Sequence, residues 1–264
     1  MNFVLIDGSY YVFFRYYALK VWWGLARKPE EPTEPSESER FMEKFRTTFV
    51  SKIEELDKKL GISGSVKIVG KDCPQKTIWR HANIAAYKEG RPDEDNVGPM
   101  FKCAYEEDLF EKAGIGKVVS YPTLEADDCL AITTKHILEK YPDSHVYIIT
   151  SDMDYLQLAS DSVTPIDLKF KKLTDSKNSF EDAEKDLFCK IVAGDKSDNI
   201  PSVFPRCGLK TAAKYYDNPE LFQKKLDSVP GAKEIYERNR LVIDFDCIPE
   251  ELVQGFTRDV LGTA

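Results

Sequence analysis

Five short runs rich in valine and isoleucine, at 2–6, 65–69, 117–121, 145–150 and 162–167, punctuate this chain, and helical patterns separate them. The alternation predicts an α/β fold, a central mostly parallel sheet with helices on both faces, because parallel neighbours need crossovers between them. Acids follow these runs. Asp7 ends the first, in VLIDGS, Asp72 follows the second, and Asp152 and Asp154 follow the fourth, in TSDMD. Glu125, Asp127 and Asp128 open a helical pattern as EADD, and Asp195 and Asp198 stand in GDKSDN. Parallel sheets gather their functional groups at the carboxyl ends of the strands. Nine acids converging there repel one another unless cations sit among them. Mg²⁺, with Mn²⁺ as a substitute, suits an all-oxygen set. Two such ions about 3.5–4 Å apart would form a phosphodiester-cleaving centre.

Each cluster has a plainer explanation. Asp7 before Gly8-Ser9 suits a turn or helix cap, and acids in the first turn at 125–128 complement a helix dipole. Three acids in four residues exceed what a cap requires, and Asp152 and Asp154 at i, i+2 read as paired ligands. Asp195 and Asp198 follow a helical pattern at its C-terminal end, where the dipole disfavours anions. Capping does not account for them.

A length of 264 residues allows one large domain with an added lobe, and no apolar run approaches the ~18–20 residues of a membrane span. Together with a strand-like start in place of a signal peptide, this reads as an intracellular protein. Six scattered cysteines without a CxxC pair read as free, mostly buried thiols. The net charge of −8 argues against a nucleic-acid partner only until the nine clustered acids are set aside, which leaves +1.

Phe41, Phe45, Phe49, Ile53, Leu56 and Leu60 predict one long amphipathic helix. The preceding segment 28–39, KPEEPTEPSESE, reads as a flexible surface loop without core-forming residues. Residues 73–113 form a long, charged, partly helical crossover between strands. From Phe180 onward the pattern is all-helical, so the expected division is a core at 1–179 and a lobe at 180–264. Arg80, Lys88 and Arg91 in the crossover sit at helical spacing or after a glycine, placed to project into an opening beside the acids and take phosphate. The alternative is a solvated charged face. In the lobe, 199–216 (NIPSVFPRCGLKTAAKYY) reads as a helix–hairpin–helix-like unit whose second helix starts near Lys210-Thr211. Amides at that N-terminus, with Lys210 and Lys214, would grip a duplex backbone.

VLIDGS, YKEGR, LEADD, ITSDMDYLQL, GDKSDNIPSV and NRLVIDFDCIPEEL, in this order, resemble the flap endonuclease / 5′→3′ exonuclease family over nearly the whole chain. The closest look is to its stand-alone phage members, such as the RNase H of T-even phages. The resemblance implies a PIN-like 5′-nuclease fold with a helical arch at 73–113, through which a single strand passes, and a helix–three-turn–helix lobe. It implies metal-dependent cleavage of DNA or RNA–DNA at 5′ ends, flaps or branch points, in replication or repair. The partners it implies are flap, nicked or 5′-ended duplex DNA and RNA–DNA hybrid. It carries the ligand role to Asp7, Asp72, Glu125, Asp127, Asp128, Asp152, Asp154, Asp195 and Asp198, with Asp128 also catalytic. Lys88 matches the arch lysine and Arg91 its companion. Arg80, Arg206, Gly208, Lys210, Thr211 and Lys214 are the further candidate nucleic-acid contacts. A K⁺ ion in the lobe is implied as well. The turn SVFPRCG keeps only Gly208 of the family's glycine-rich pattern, so the expectation is weaker K⁺ dependence than the family norm, with Arg206 supplying charge. Asp72, in VGKDCPQ, departs from the family's FDG. No clamp-binding box is seen, and a monomer is expected, phage- or virus-encoded and acting in the host cell. The rivals are a PIN-type ribonuclease and a non-catalytic structure-specific DNA-binding protein.

Overall fold

The computed structural model describes residues 1–90 and 96–262. Its chain order begins β1 (Asn2–Asp7), α1 (Gly8–Ala26), α2 (Glu39–Glu54), α3 (Leu56–Leu60), β2 (Val66–Gly70), α4 (Gly98–Glu106), α5 (Leu109–Lys112) and β3 (Lys117–Val119). It continues with α6 (Ala126–Lys140), β4 (His145–Ile149), β5 (Val163–Ile166), α7 (Ala183–Ala193), α8 (Leu209–Tyr216), α9 (Pro219–Ser228), α10 (Ala232–Ile243) and α11 (Glu250–Phe256). The five strands form one sheet in the order β3-β2-β1-β4-β5, and every pairing is parallel. The chain winds outward from β1 through β2 to β3, then returns to β1's other side for β4 and β5. The order therefore reverses between β1 and β4, the place where open α/β sheets form a crevice.

Two apolar layers hold the sheet. On one face Val4, Ile6 and Val69 pack against Tyr11, Phe41, Phe45 and Phe49 from α1 and α2. On the other, Leu5, Val146 and Ile148 meet Leu130 of α6 and Phe245, Ile248 and Phe256 from the chain's C-terminal part. Alternate residues of β1 thus serve opposite layers, which is the period of a strand buried on both faces. Residues after Phe180 have their own cluster around Cys189, Phe204, Ala212 and Leu226. A smaller cluster joins Cys73, Ile78, Ile84 and Tyr87 of the crossover to Ile191, Val242 and Ile243.

Three details differ from expectation. The long helix after residue 39 is two helices, broken at Glu55, which carries φ −74° and ψ −13° with its amide shared between Ser51 and Ile53 carbonyls. The acidic loop before it is not free of core residues: Pro35 and Ser38 are buried, and Ser38 caps α2 through the Phe41 amide. Arg80 and Lys88 do not lie on one helix. Short 3-10 turns at Gln75–Thr77 and Trp79–Ala82 precede an irregular turn, and Lys88 itself has φ 56°. All six cysteines are free, and five are buried. No helix among the described residues is long and apolar enough to cross a membrane.

Candidate active site

β1 and β4 end at the reversal point, and their acids arrive there together. Asp7 caps α1, accepting from the Tyr10 amide at 3.0 Å, and its other oxygen accepts from the Thr150 hydroxyl at 3.3 Å. The capping explanation thus holds for Asp7, but one oxygen remains turned toward the cleft wall formed by β4. Asp72, just past β2, accepts from the Ser9 hydroxyl and from the Ala126 amide at 2.8 Å, which ties β2 to the first turn of α6. Gly70 permits that approach: a Cβ there would lie 2.9 Å from the Ala126 carbonyl oxygen and 2.7 Å from Leu130 Cγ. Asp152 accepts from the Asp154 amide at 2.9 Å in the turn after β4.

Asp7, Asp72, Glu125, Asp127 and Asp152 line one open cleft of about 430 Å³, with Lys88, Ser9, Thr150 and the rings of Tyr10, Phe13 and Tyr17. Desolvation, then the charge of Asp72, pushes the Asp7 carboxyl up to about 7. Desolvation and the adjoining Asp154 push Asp152 up to about 8. These acids are held as they would be in a site that expects added positive charge.

Around the cleft, three cations among the described residues are paired with Glu125, Asp128, Asp154 and Asp195. Arg80 is 3% exposed. Its Nη1 donates to Glu125 at 2.8 Å and to Asp128 at 2.8 Å, its Nη2 to Asp128 at 2.6 Å, and its Nε to the Val242 carbonyl at 2.7 Å. Asp128 is fully buried and also accepts from the Trp79 indole and the Glu125 amide, both at 3.0 Å. Glu125 and Asp128 therefore form a capping box at the start of α6. Lys88 donates to Glu125, whose other oxygen takes the Tyr87 hydroxyl at 3.1 Å. Burial works against the Lys88 charge, yet Glu125 and Asp127 hold its ammonium above the ordinary lysine range. Lys190, near the end of α7, forms an ion pair with Asp154 at 2.7 Å and donates to Asp195 at 2.6 Å. Despite partial desolvation, Lys190 and the Ser197 donors hold the Asp195 carboxyl down to about 2.

The GDKSDN loop closes the site from the lobe side. Gly194 ends α7 at φ 69°, with the Ile200 and Pro201 carbonyl oxygens 2.5 Å from where a Cβ would stand, so no side chain fits that turn. Asp198 accepts from Tyr87 at 3.3 Å, and its carbonyl takes the Lys88 amide at 3.2 Å. Asn199 donates to the Ala86 and Glu89 carbonyls at 2.8 and 2.7 Å. The loop thus clasps the turn that carries Lys88, and the left-handed backbone of Lys88 is held in place from outside.

Five of the nine expected acids line the cleft, Asp154 and Asp195 meet at Lys190, and Asp198 meets Tyr87. Asp128 stands behind the cleft, both oxygens accepting from Arg80, a buried pairing that holds its carboxylate beside Glu125 and Asp127. Arg80 likewise faces inward and does not reach the opening, correcting its expected place as a phosphate contact. Arg91 lies outside the described residues. In the lobe, Lys210, Thr211 and Lys214 are exposed on α8, Gly208 is its N-cap, and Arg206 is exposed with φ 60°. Sequence reasoning missed Lys190, Tyr87 and the aromatic wall of α1. A lysine five residues before Asp195 was the available signal for the first.

Oxygen donors only, five of them facing one cleft, fit hard divalent ions. One carboxylate oxygen from each of Glu125, Asp127 and Asp128 also lies within 4.8 Å of the others. This sheet and this acidic edge define a PIN-like nuclease domain. The family model described as the 5′-3′ exonuclease N-terminal resolvase-like domain matches residues 2–188, and the chain belongs to that family. It is 22% identical to the flap endonuclease of Escherichia phage T5 over 252 residues, covering 83% of this chain and 85% of that one. It is 25% identical to the 5′-3′ exonuclease of Mycoplasmopsis pulmonis over 234 residues, covering 86% and 70%. A solved T5 5′-exonuclease with zinc bound superimposes with a TM-score of 0.69 at 21% identity, over 99% of this chain and 98% of the other. A T5 flap endonuclease pseudo-enzyme-product complex with DNA and metal ions gives 0.65 at 19%, over 99% and 98%.

Proposed function

We propose that this nuclease hydrolyses phosphodiester bonds at 5′ ends, flaps or branch points of DNA and RNA–DNA, using Mg²⁺ at the acidic cleft. The observation that carries the reading is the convergence of Asp7, Asp72, Glu125, Asp127 and Asp152 with Lys88 on a single cleft at the strand-order reversal. Asp7, Asp72, Asp127 and Asp152 would hold one ion, and Asp152, Asp154, Asp195 and Asp198 a second. Bound there, such ions supply a water of lowered pKa and neutralise charge on the phosphate and the leaving oxygen.

The chain's own residues do the rest. Glu125 orients the Lys88 ammonium at the cleft wall, where a phosphate entering beside it gains a cation already desolvated. Arg80 and Asp128 fix Glu125 from behind, so the pair stays in register with Asp127. Arg91 is the companion cation in this proposal. Tyr10, Phe13 and Tyr17 give the cleft an apolar side that excludes water from part of the substrate. Crossover 73–113 is the passage for a single strand, and Arg206, Gly208, Lys210, Thr211 and Lys214 hold the duplex backbone, without base specificity. The enzyme acts as a monomer in replication or repair, with K⁺ at most weakly used by the lobe.

Labelled flap, nicked, blunt and RNA–DNA substrates test this directly. Cleavage in Mg²⁺ that starts from the 5′ side and stops in chelator is expected. Cleavage confined to single-stranded RNA, or binding without cleavage, would transfer the protein to the ribonuclease or the scaffold reading.

A further inference from the structure

Among the described residues three cations are built into this site, and they differ in how firmly they are held. Arg80 is 3% exposed against an Asp128 with no exposure, and its guanidinium makes four hydrogen bonds, two of them from Nη1. Lys190 is different. Its ammonium bridges two carboxylates from separate elements, Asp154 in the turn after β4 and Asp195 beyond α7, and these three side chains are 21%, 18% and 21% exposed. The Asp154 Oδ1 that meets the ammonium is itself buried, while the rest of the three side chains keeps some contact with solvent. A cavity of about 230 Å³ adjoins it, lined by Lys190 itself with Asp195, Asn178, Gly194 and Leu209. The lysine stem is flexible, and the ammonium is a point charge that can be exchanged for another cation without leaving a rigid fork unpaired.

We propose that Lys190 is the resident counter-ion of the Asp154–Asp195 pair and the competitor that a divalent ion must displace there. Binding of the ion and withdrawal of the ammonium into the adjoining cavity are then one event. The exchange replaces one positive charge by two between the same carboxylates, and no bond other than the ion pair breaks. Two consequences follow from the geometry. The pair is never left with bare like charges, which keeps the outer half of the site folded when no metal is bound. The two halves also load unequally: among the described residues no lysine bridges Asp7, Asp72, Asp127 and Asp152, which fill first, while the outer half fills at higher ion concentration. The inference rests on the reading that the outer acids are metal ligands.

The test is Mn²⁺ binding to the full-length protein without nucleic acid, followed by calorimetry and electron paramagnetic resonance. Wild type is expected to show a tight and a weak class of site. Lys190→Met should tighten the weak class by about tenfold, the equivalent of roughly 1.4 kcal/mol, and leave the tight class unchanged. Lys190→Arg, which keeps the charge, should retain the weak class. In wild type, the Lys190 side-chain resonance should move during Mg²⁺ titration in step with the weak class, a readout that holds even if Lys190→Met folds poorly. A weak class unchanged in a folded Lys190→Met protein, or a Lys190 resonance indifferent to Mg²⁺, overturns the competition. A different outcome defeats the underlying assignment: one class of site in wild type that survives Asp154→Asn with Asp195→Asn would remove the outer acids from the metal site altogether.

Discussion

The inner and outer halves of the acidic site solve the same electrostatic problem in different ways. The inner half, at the start of α6, locks Glu125 and Asp128 with a buried arginine and a capping box, and leaves Asp7, Asp72 and Asp127 facing an open cleft. The outer half, assembled from the turn after β4 and the loop after α7, shares one partly exposed lysine between two acids. Permanent pairing fixes geometry, because breaking a buried pair leaves an uncompensated charge. Shared, less buried pairing leaves room for exchange. The comparison teaches that the nine acids are not equivalent: some hold the site's shape, and others are left available to bind.

The sharpest way to break that division is Asp127→Asn. We expect single-turnover hydrolysis to fall by several orders of magnitude in Mg²⁺, with DNA binding and thermal stability retained, because Asp127 faces the cleft and Arg80 does not bond it. Rate measurements beside a melting curve check both halves of the statement. Lys88→Ala should lower the single-turnover rate by roughly 10²-fold with little change in duplex affinity, since its charge acts on the transition state. Affinity lost without a rate effect at saturation would make Lys88 a surface phosphate contact.

Arg80→Met sharpens the contrast from the structural side. Leaving Glu125 and Asp128 without their guanidinium should destabilise the protein by about 3–5 kcal/mol, read by denaturant unfolding. Asp128→Asn should also destabilise it, the reverse of what relief of like-charge repulsion alone would give.

The pH dependence follows from the acids that face the cleft. Asp7 and Asp152 have folded pKa values raised to about 7 and about 8 from 3.8, so the folded state holds protons that the unfolded state has lost. Their contribution is present below the unfolded value and is lost as pH rises toward 7–8. In chelator the melting temperature should therefore fall across that window, and divalent ions should remove the fall. Asp195, depressed to about 2, contributes in the opposite sense, above 3.8, and loses that contribution only in strong acid. A chelated protein whose stability rises from pH 5 to 8 would contradict the assignment of the cleft acids.

The smallest effect belongs to the lobe. Replacing Lys210 and Lys214 with Ala should weaken duplex binding about equally across sequences. The slope of log affinity against log salt should shrink by roughly 0.9 per lost contact. Affinity in matched K⁺ and Na⁺ buffers should differ little; a large K⁺-specific gain would show that the SVFPRCG turn keeps an ion site despite its lost glycines.

The sheet was legible because each strand is a β-branched run of the right length with acids after it, whereas the pairing of β1 with β2 and β4, which gathers Asp7, Asp72 and Asp152, is visible only in the fold. The pairing among charges was not legible. Nothing local distinguishes Asp127 from Asp128, since only the fold brings Arg80, 48 residues away, against one and not the other. The crossover misled for a related reason: residues 79–88 have helical spacing on paper, but the clasp of Asn199 and Asp198 on their carbonyl and amide groups favours a tight irregular turn. Lys190 was overlooked because a lysine in a last helical turn is ordinary, and its two acids become neighbours only in three dimensions.

The central claim is that the cleft acids form a divalent-metal nuclease centre acting at 5′ structures. Its most direct test is the single-turnover cleavage rate of a 5′-flap duplex, titrated with Mg²⁺ from full chelation. The account predicts no cleavage in chelator and a saturable rise with Mg²⁺, with the cut placed at the flap junction or stepping inward from the 5′ end. Cleavage that persists in chelator, or a flap bound tightly and left uncut at every Mg²⁺ concentration, would contradict it.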